Sequence, residues 1–376
     1  MTTMTKRIAT ILPVACLLTA CIQDEPLNAE ADILSCNLSS DKDILMVPAD
    51  TAMPVTSTTE NIDIPVRAGA DLHARTPRFI ITEGATISPA SGSRQDFSEG
   101  KAVRYVVTSQ DGKWNRTYHV SYVSFELTTQ YAFEDYELNS TEKYQMISEV
   151  VDGRTMLNWW GTGNPGYCLA NSLATPTEYP TAIVPGGRSG NCLQLVTRSA
   201  GVFGKLAGMP IAPGNLFLGT FDVASALKAP LEATHFGIPF RQTPKAIKGY
   251  YKFKSGEQMT NGEGEEISGK DNFNIYAMLY ENTDEDGNQV VLDGTNSNDS
   301  PYLVLYGKIE GQGEADEWTP FSFDMKAMNG KVLDPEKLAQ FGYSFSIVFS
   351  SSLKGDIFTG AVGSTLMIDD VEVECR

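Results

Sequence analysis

Histidine is nearly missing from this chain: His73, His119 and His235 are the only three. A Ser-His-Asp relay needs a histidine beside both a serine and a carboxylate, and two of the three fall in the N-terminal third, so nucleophilic acyl chemistry is a poor fit. The six cysteines form no CxxC pair and no His/Cys cluster, which argues against a zinc site. No glycine-rich loop leads into a helix, so the phosphate cradle of a nucleotide site is lacking too. Positive charge is in deficit: 29 Lys and Arg stand against 47 Asp and Glu, a formal net charge of −18. Nucleic acids and anionic membrane surfaces need basic patches, so both are argued against as partners. A sustained helical period is also missing, apart from one or two turns over 332–340. What remains is globular in composition, 41% hydrophobic and 20% charged, and 376 residues suit about two domains.

Lys6 and Arg7 precede an apolar run over 8–18 that is too short to span a bilayer. Leu18-Thr19-Ala20-Cys21 follows, and it resembles the lipobox of bacterial lipoproteins. The resemblance implies cleavage before Cys21 and lipid attached to it; an ordinary secretory signal is the alternative. Gln23-Asp24-Glu25 resembles the acidic export signal of Bacteroidetes lipoproteins carried to the outer face of the outer membrane. Residues 1–21 are thus read as a signal peptide and 22–32 as a tether, with the protein held on the outer membrane by its lipid anchor and exposed at the cell surface. Cys36, Cys168, Cys192 and Cys375 remain, in a compartment that permits disulfides. A Cys168–Cys192 bridge and free buried thiols both stay open.

Residues 33–125 alternate short strands with turns: 62–66, 78–81, 103–108 and 117–123, the last two joined by Gln110-Asp111-Gly112-Lys113. Asp-Gly between alternating runs is a hairpin signal, and strands at this density indicate a sandwich. The segment resembles the immunoglobulin-like N-terminal modules of Bacteroidetes surface lipoproteins through GATISPASG (84–92), DFS (96–98) and VRYVVTSQDGKWNRTYHV (103–120). Such a module implies a spacer, and no site is read in it.

From 131 onward the chain reads as strands: 193–197, 249–253, 274–281, 303–309, 318–323 and 343–350. The most regular lies within 235–254, where Ile247, Gly249, Tyr251 and Phe253 alternate with Lys248, Tyr250, Lys252 and Lys254. A period of two buries one face and wets the other. Runs of short strands this dense fit a jelly roll. The opening Phe133-Glu134 and the closing GSTLMIDDVEV (363–373) resemble the two ends of jelly-roll carbohydrate-binding modules, whose first and last strands lie side by side. The whole of 131–376 resembles the putative carbohydrate metabolism domain of Bacteroidetes lipoproteins, through NWWGTGNPGY (158–167), PGGRSGNCLQL (185–195), GNLFLGTFD (214–222), HFGIPF (235–240), KGYYKFK (248–254) and the closing strand. The expected fold is all-β: an immunoglobulin-like sandwich followed by a larger jelly-roll sandwich.

Sugar rings pack on aromatic side chains while their hydroxyls take polar partners. Trp159, Trp160 and Tyr167, in a Gly/Asn/Pro-rich loop, are therefore candidate glycan contacts, with one tryptophan expected buried and one available. Lys248, Tyr250 and Lys252 on the wet strand face complete the set. Glycoside hydrolysis needs two carboxylates flanking the bond; Glu134, Asp135, Asp222, Glu232, Asp271, Glu281 and Asp356 are candidates, with no pair selected. Asp284-Glu285-Asp286-Gly287-Asn288 looks like a hard-cation loop but lacks the distal glutamate, and reads as a solvated hairpin tip. The jelly-roll resemblance implies a structural calcium where first and last strands meet, near Glu134 or Asp135 and Asp369 or Asp370; no other cofactor is required. The reading is glycan or oligosaccharide binding without catalysis, with other surface lipoproteins as further partners. A glycoside hydrolase is the alternative, and an adhesive surface protein with a protein partner is the second. Cys21→Ser is expected to move the protein from the membrane to the soluble fraction, because no second anchor is read; a variant that still sediments with membrane would overturn the lipidation reading.

Overall fold

The computed structural model describes residues 26–41, 44–45, 53–55, 60–67, 69–124, 126–151, 153–157, 159–311 and 313–376. The signal segment with Cys21, and Phe125 at the expected domain junction, lie outside them.

The N-terminal module is a sandwich of a three-stranded and a four-stranded sheet. Met53–Pro54, Ile33–Asn37 and Arg78–Ile81 form the first; Asn61–Val66, Asn115–Ser124, Val103–Thr108 and Thr86–Ser88 form the second, each in spatial order. Asn61–Val66 runs parallel to Asn115–Ser124. Ile62, Ile64, Tyr105, Tyr118 and Val120 close the core between the sheets. The turn-rich 84–92 stretch contains a three-residue strand, Thr86–Ser88, because Ile87 is drawn against that core. Residues 28–32 are not a free tether. Ala31 is buried, and Asp32 accepts from Arg116 at 2.6 Å and from the Tyr118 hydroxyl at 3.2 Å.

The C-terminal domain is a second sandwich. Its six-stranded sheet runs Thr181–Pro185, Asn191–Val196, Thr365–Cys375, Pro244–Lys254, Ala315–Asp324, with Gln130–Tyr131 also on the last strand of the chain. Tyr131 lies opposite Val371, so first and last strands are neighbours. Ile247, Gly249, Tyr251 and Phe253 are buried, and Lys248, Tyr250, Lys252 and Lys254 face outward, as the alternation requires. The eight-stranded sheet runs Trp160–Gly161, Asn215–Phe221, Tyr343–Ser350, Asn274–Glu281, Leu303–Lys308, Lys326–Ala327, with Thr234–Phe236 and Ile238–Phe240 alongside. Leu216, Leu218, Ile275, Ala277, Phe345, Ile347 and Phe349 pack inward on the six-stranded sheet. The outward residues of the same strands, Phe217, Met278, Tyr280 and Val348, form a second apolar cluster. Cys36, Cys168, Cys192 and Cys375 are all free thiols.

Asp271 fastens the segment that follows Ser350. One carboxylate oxygen accepts from the hydroxyls of Ser352 and Ser364, both at 2.7 Å, and from the Ala361 N–H at 2.8 Å. The residue is 5% exposed, so its loss strands three buried donors. Each costs about 1–3 kcal/mol, so Asp271→Ala is expected to lower stability by about 3 kcal/mol or more in urea unfolding, and Asp271→Asn by less. Equal midpoints for wild type and Asp271→Ala would rule out this role.

Candidate functional site

The outward face of Pro244–Lys254 is occupied by its own partners. Lys248 pairs with Glu374, which also holds Lys245. These two ammonium groups draw the Glu374 carboxyl down to about 2. The Arg188 guanidinium lies 3.6 Å from the centre of the Tyr250 ring and pairs with Asp370, while Lys252 Nζ sits 5.1 Å from the Trp318 ring. The strand face is a self-neutralised lattice of charge and ring, and no open aromatic platform.

Both tryptophans depart from expectation. Trp159 is fully buried and Trp160 is 7% exposed, so neither is available to a sugar. Trp160–Gly161 is only a two-residue strand, paired with Phe217 and Leu218. Trp159 precedes it, outside the reach of strand alternation, and both rings enter the main core. Trp160 meets Tyr131 and Phe133 there, and its Nε1 donates to Glu149 at 3.0 Å. The rest of the motif is a helix, Asn164–Ala170, with Pro165 in its first turn, where a missing N–H costs nothing.

The expected calcium ligands come together only in part. Asp369 is buried in a bulge beside Asp370, which adopts φ 48°. It accepts the Arg188 N–H at 2.6 Å, and Glu134 accepts the Asn191 N–H at 2.9 Å. Burial, then Asp370 and Glu134, raise the Asp369 carboxyl. Gly190, at φ 76°, passes so close to Glu134 that a Cβ would lie 2.5 Å from its carboxylate. Asp135 opens the next strand instead, and Asp370 is matched by arginine. Among the described residues no group of three or more His, Cys, Asp or Glu converges as a metal site. Asp284 turns its carboxylate onto the N–H groups of Asp286 and Asn288, which closes a tight exposed turn.

A hollow lies on the other sheet. A cavity of about 730 Å³ opens over the outward face of the eight-stranded sheet. Register sets its floor in two cross-strand rows. Asn215, Ser350 and Asn274 form a polar row on three adjacent strands, and Phe217, Val348, Tyr276 and Lys308 form the next. The Tyr276 and Tyr306 rings lie 5.9 Å apart and 30° from parallel. Burial raises the Tyr306 hydroxyl to about 12 and raises that of Tyr276 as well, so both stay protonated at neutral pH and can donate and accept. Walls come from three short helices, Asn164–Ala170, Gly201–Leu206 and Val223–Ala226, and from the segment held by Asp271. Tyr167 is a wall residue, edge-on to Tyr179 at 5.5 Å. It is the one sugar-contact candidate that the structure places at this cavity.

Of the seven candidate carboxylates only Asp356 lines the cavity. Asp222 caps Val223–Ala226, Asp271 holds its serines and Glu281 takes Lys331 and Lys337. The floor residues were missed in sequence, although one signal marks them. Asn274–Glu281 is apolar or aromatic on both faces, the pattern of a strand covered on both sides.

Residues 132–374 match the family model described as putative carbohydrate metabolism domain. The chain belongs to this family. Residues 46–121 match a second model, SGBP, N-terminal, a module of glycan-binding proteins. A crystal structure described as a putative glycoside hydrolase from Bacteroides thetaiotaomicron VPI-5482 is 44% identical, with a TM-score of 0.75 over 94% of this chain and 99% of that one. A second so described, from Bacteroides vulgatus ATCC 8482, is 43% identical, with a TM-score of 0.62 over 67% of this chain and 99% of that one. No curated protein matches. In this family member the loop tryptophans serve the sandwich, and the carbohydrate-related fold carries its cavity on the opposite sheet.

Glu149, the partner of Trp160, has its carboxyl raised to about 7 from 4.5, first by burial and then by Asp135, against the hydrogen bond from Trp160. A raised carboxyl favours the protonated fold. Its stabilisation is fully present below pH about 4.5 and is lost as pH climbs through 7. Glu149→Gln keeps the acceptor and removes the titration. The variant is expected to match wild type near pH 4.5 and to exceed it by about 1–3 kcal/mol at pH 8. A difference in melting that does not change with pH would remove the assignment.

Proposed function

We propose that this protein binds glycan in the cavity on the eight-stranded sheet, without cleaving it, as a lipoprotein of the cell surface. The observation that carries this is the floor of the cavity: two tyrosines stacked loosely across neighbouring strands, flanked by Asn274 and Lys308, in a domain of a carbohydrate family. Rings supply the apolar faces that sugars cover, and the amide, hydroxyls and ammonium group take sugar hydroxyls. The N-terminal module stands in sequence between this domain and the lipid on Cys21, with other surface lipoproteins as neighbours.

The hydrolase reading is favoured by the description of the two similar crystal structures. Against it stands a single carboxylate, Asp356, in the lining among the described residues, where hydrolysis needs two about 5–9 Å apart.

A glycan array identifies a binding sugar, and calorimetry measures the variants. Tyr276→Ala and Tyr306→Ala are each expected to weaken binding by about 1–3 kcal/mol, the worth of one buried large side chain, while Tyr250→Ala leaves it unchanged. Circular dichroism confirms that each variant is folded. Full affinity in both cavity variants would place the site elsewhere. Release of reducing ends that is abolished by Asp356→Asn would decide for the hydrolase.

A further inference from the structure

The cavity is lopsided in its chemistry. At its floor Asn274 Oδ1 is buried without a hydrogen-bond partner, beside Tyr276 and Lys308. Toward the mouth the wall is mostly apolar, with Lys354 and Asp356 as charged exceptions. Leu169, Phe203, Leu227 and Ile357 line the cavity and are still 58%, 75%, 59% and 53% exposed. Next to Phe203, Gly204 is packed so tightly that a Cβ would lie 2.3 Å from Ala200 and 2.6 Å from the Met209 carbonyl. Four large apolar side chains grouped at one opening form the kind of surface that a ligand covers. Here the same side chains descend from the rim into an open-mouthed hollow of about 730 Å³, the size of a small-molecule site. A flat protein partner would cover the rim and leave the hollow unfilled. An unsubstituted sugar, with hydroxyls around its whole edge, would leave the apolar wall unmatched.

Resting on the cavity as the ligand site, we propose that the ligand is an amphipathic carbohydrate: a sugar bearing an alkyl, acyl or aryl group. The sugar meets Asn274, Tyr276 and Lys308 at the floor, and the apolar group runs out along Phe203, Leu227 and Ile357.

The test uses the full chain carrying Cys21→Ser, with N-phenyl-1-naphthylamine as a fluorescent probe of the apolar wall. Methyl, butyl, hexyl and octyl glycosides of glucose, galactose and mannose, all below micelle-forming concentrations, compete for it. 1-Octanol serves as the headless control, and plain oligosaccharides are measured by calorimetry. The dissociation constant of the glycosides is expected to fall about fourfold per added methylene, the equivalent of about 0.8 kcal/mol. Phe203→Ser, at an exposed position that tolerates a polar side chain, flattens that dependence. Asn274→Ala and Lys308→Ala weaken the octyl glycosides about tenfold and leave octanol unaffected. No dependence on chain length for any head group overturns the proposal. If oligosaccharides bind all the same, glycan binding stands and only the amphipathic class falls. If octanol binds as tightly as every octyl glycoside and no oligosaccharide binds, both readings fall.

Discussion

The eight-stranded sheet is apolar on both faces, and most of the C-terminal architecture answers to that constraint. One face is satisfied by the six-stranded sheet, through Leu216, Ile275, Phe345 and their neighbours. The other carries Phe217, Tyr276, Met278 and Val348, which would cost heavily if left to water. Among the described residues the domain's other strands form only small sheets of two or three, too narrow to cover it. The covering comes from three helices of four to seven residues and from loops, none of which packs flat against pleated strands. The mismatch between a broad floor and a piecemeal roof leaves the hollow. The cavity is thus a consequence of how this sheet is shielded, and its two-row floor follows from strand register.

The sheets were legible because strands of this length declare themselves by alternation. Pro244–Lys254 places its residues on the faces that its sequence specifies, and the neighbouring first and last strands follow from the closing motif. The functional residues were harder to read. Gly, Asn and Pro around Trp159-Trp160 mark an irregular backbone, but they carry no information on which side of that backbone the core lies. The outward set Tyr276, Met278 and Tyr280 was readable as a doubly covered strand. What covers it was not, since helices such as Gly201–Leu206 are too short to show a period. Lys248, Tyr250 and Lys252 share a face as expected. Their occupancy by Glu374, Arg188 and Trp318 depends on residues up to 126 positions away, a relation that pairing alone reveals.

Charge is distributed so that, among the described residues, Asp356 alone of the carboxylates lines the cavity. Glu281 is held by two lysines, Glu374 by two more, and Asp370 by Arg188. Asp271 is spent on serine hydroxyls and a backbone N–H. Neutral hydroxyl and amide groups, with the ammonium of Lys308, make up the polar part of the floor.

The adjacency of Gln130–Tyr131 and the final strand also has a mechanical meaning. Any pull on the chain from its N-terminal side enters the C-terminal domain there, where the Val373 N–H bonds to the Thr129 carbonyl at 2.7 Å and Tyr131 and Phe133 are plugged into the core. That load is taken up by the six-stranded sheet. The strands that floor the cavity belong to the other sheet and lie off the line of force. A chain pulled from that side would strain the pairing of Gln130–Tyr131 with the last strand before it deformed the floor of the cavity.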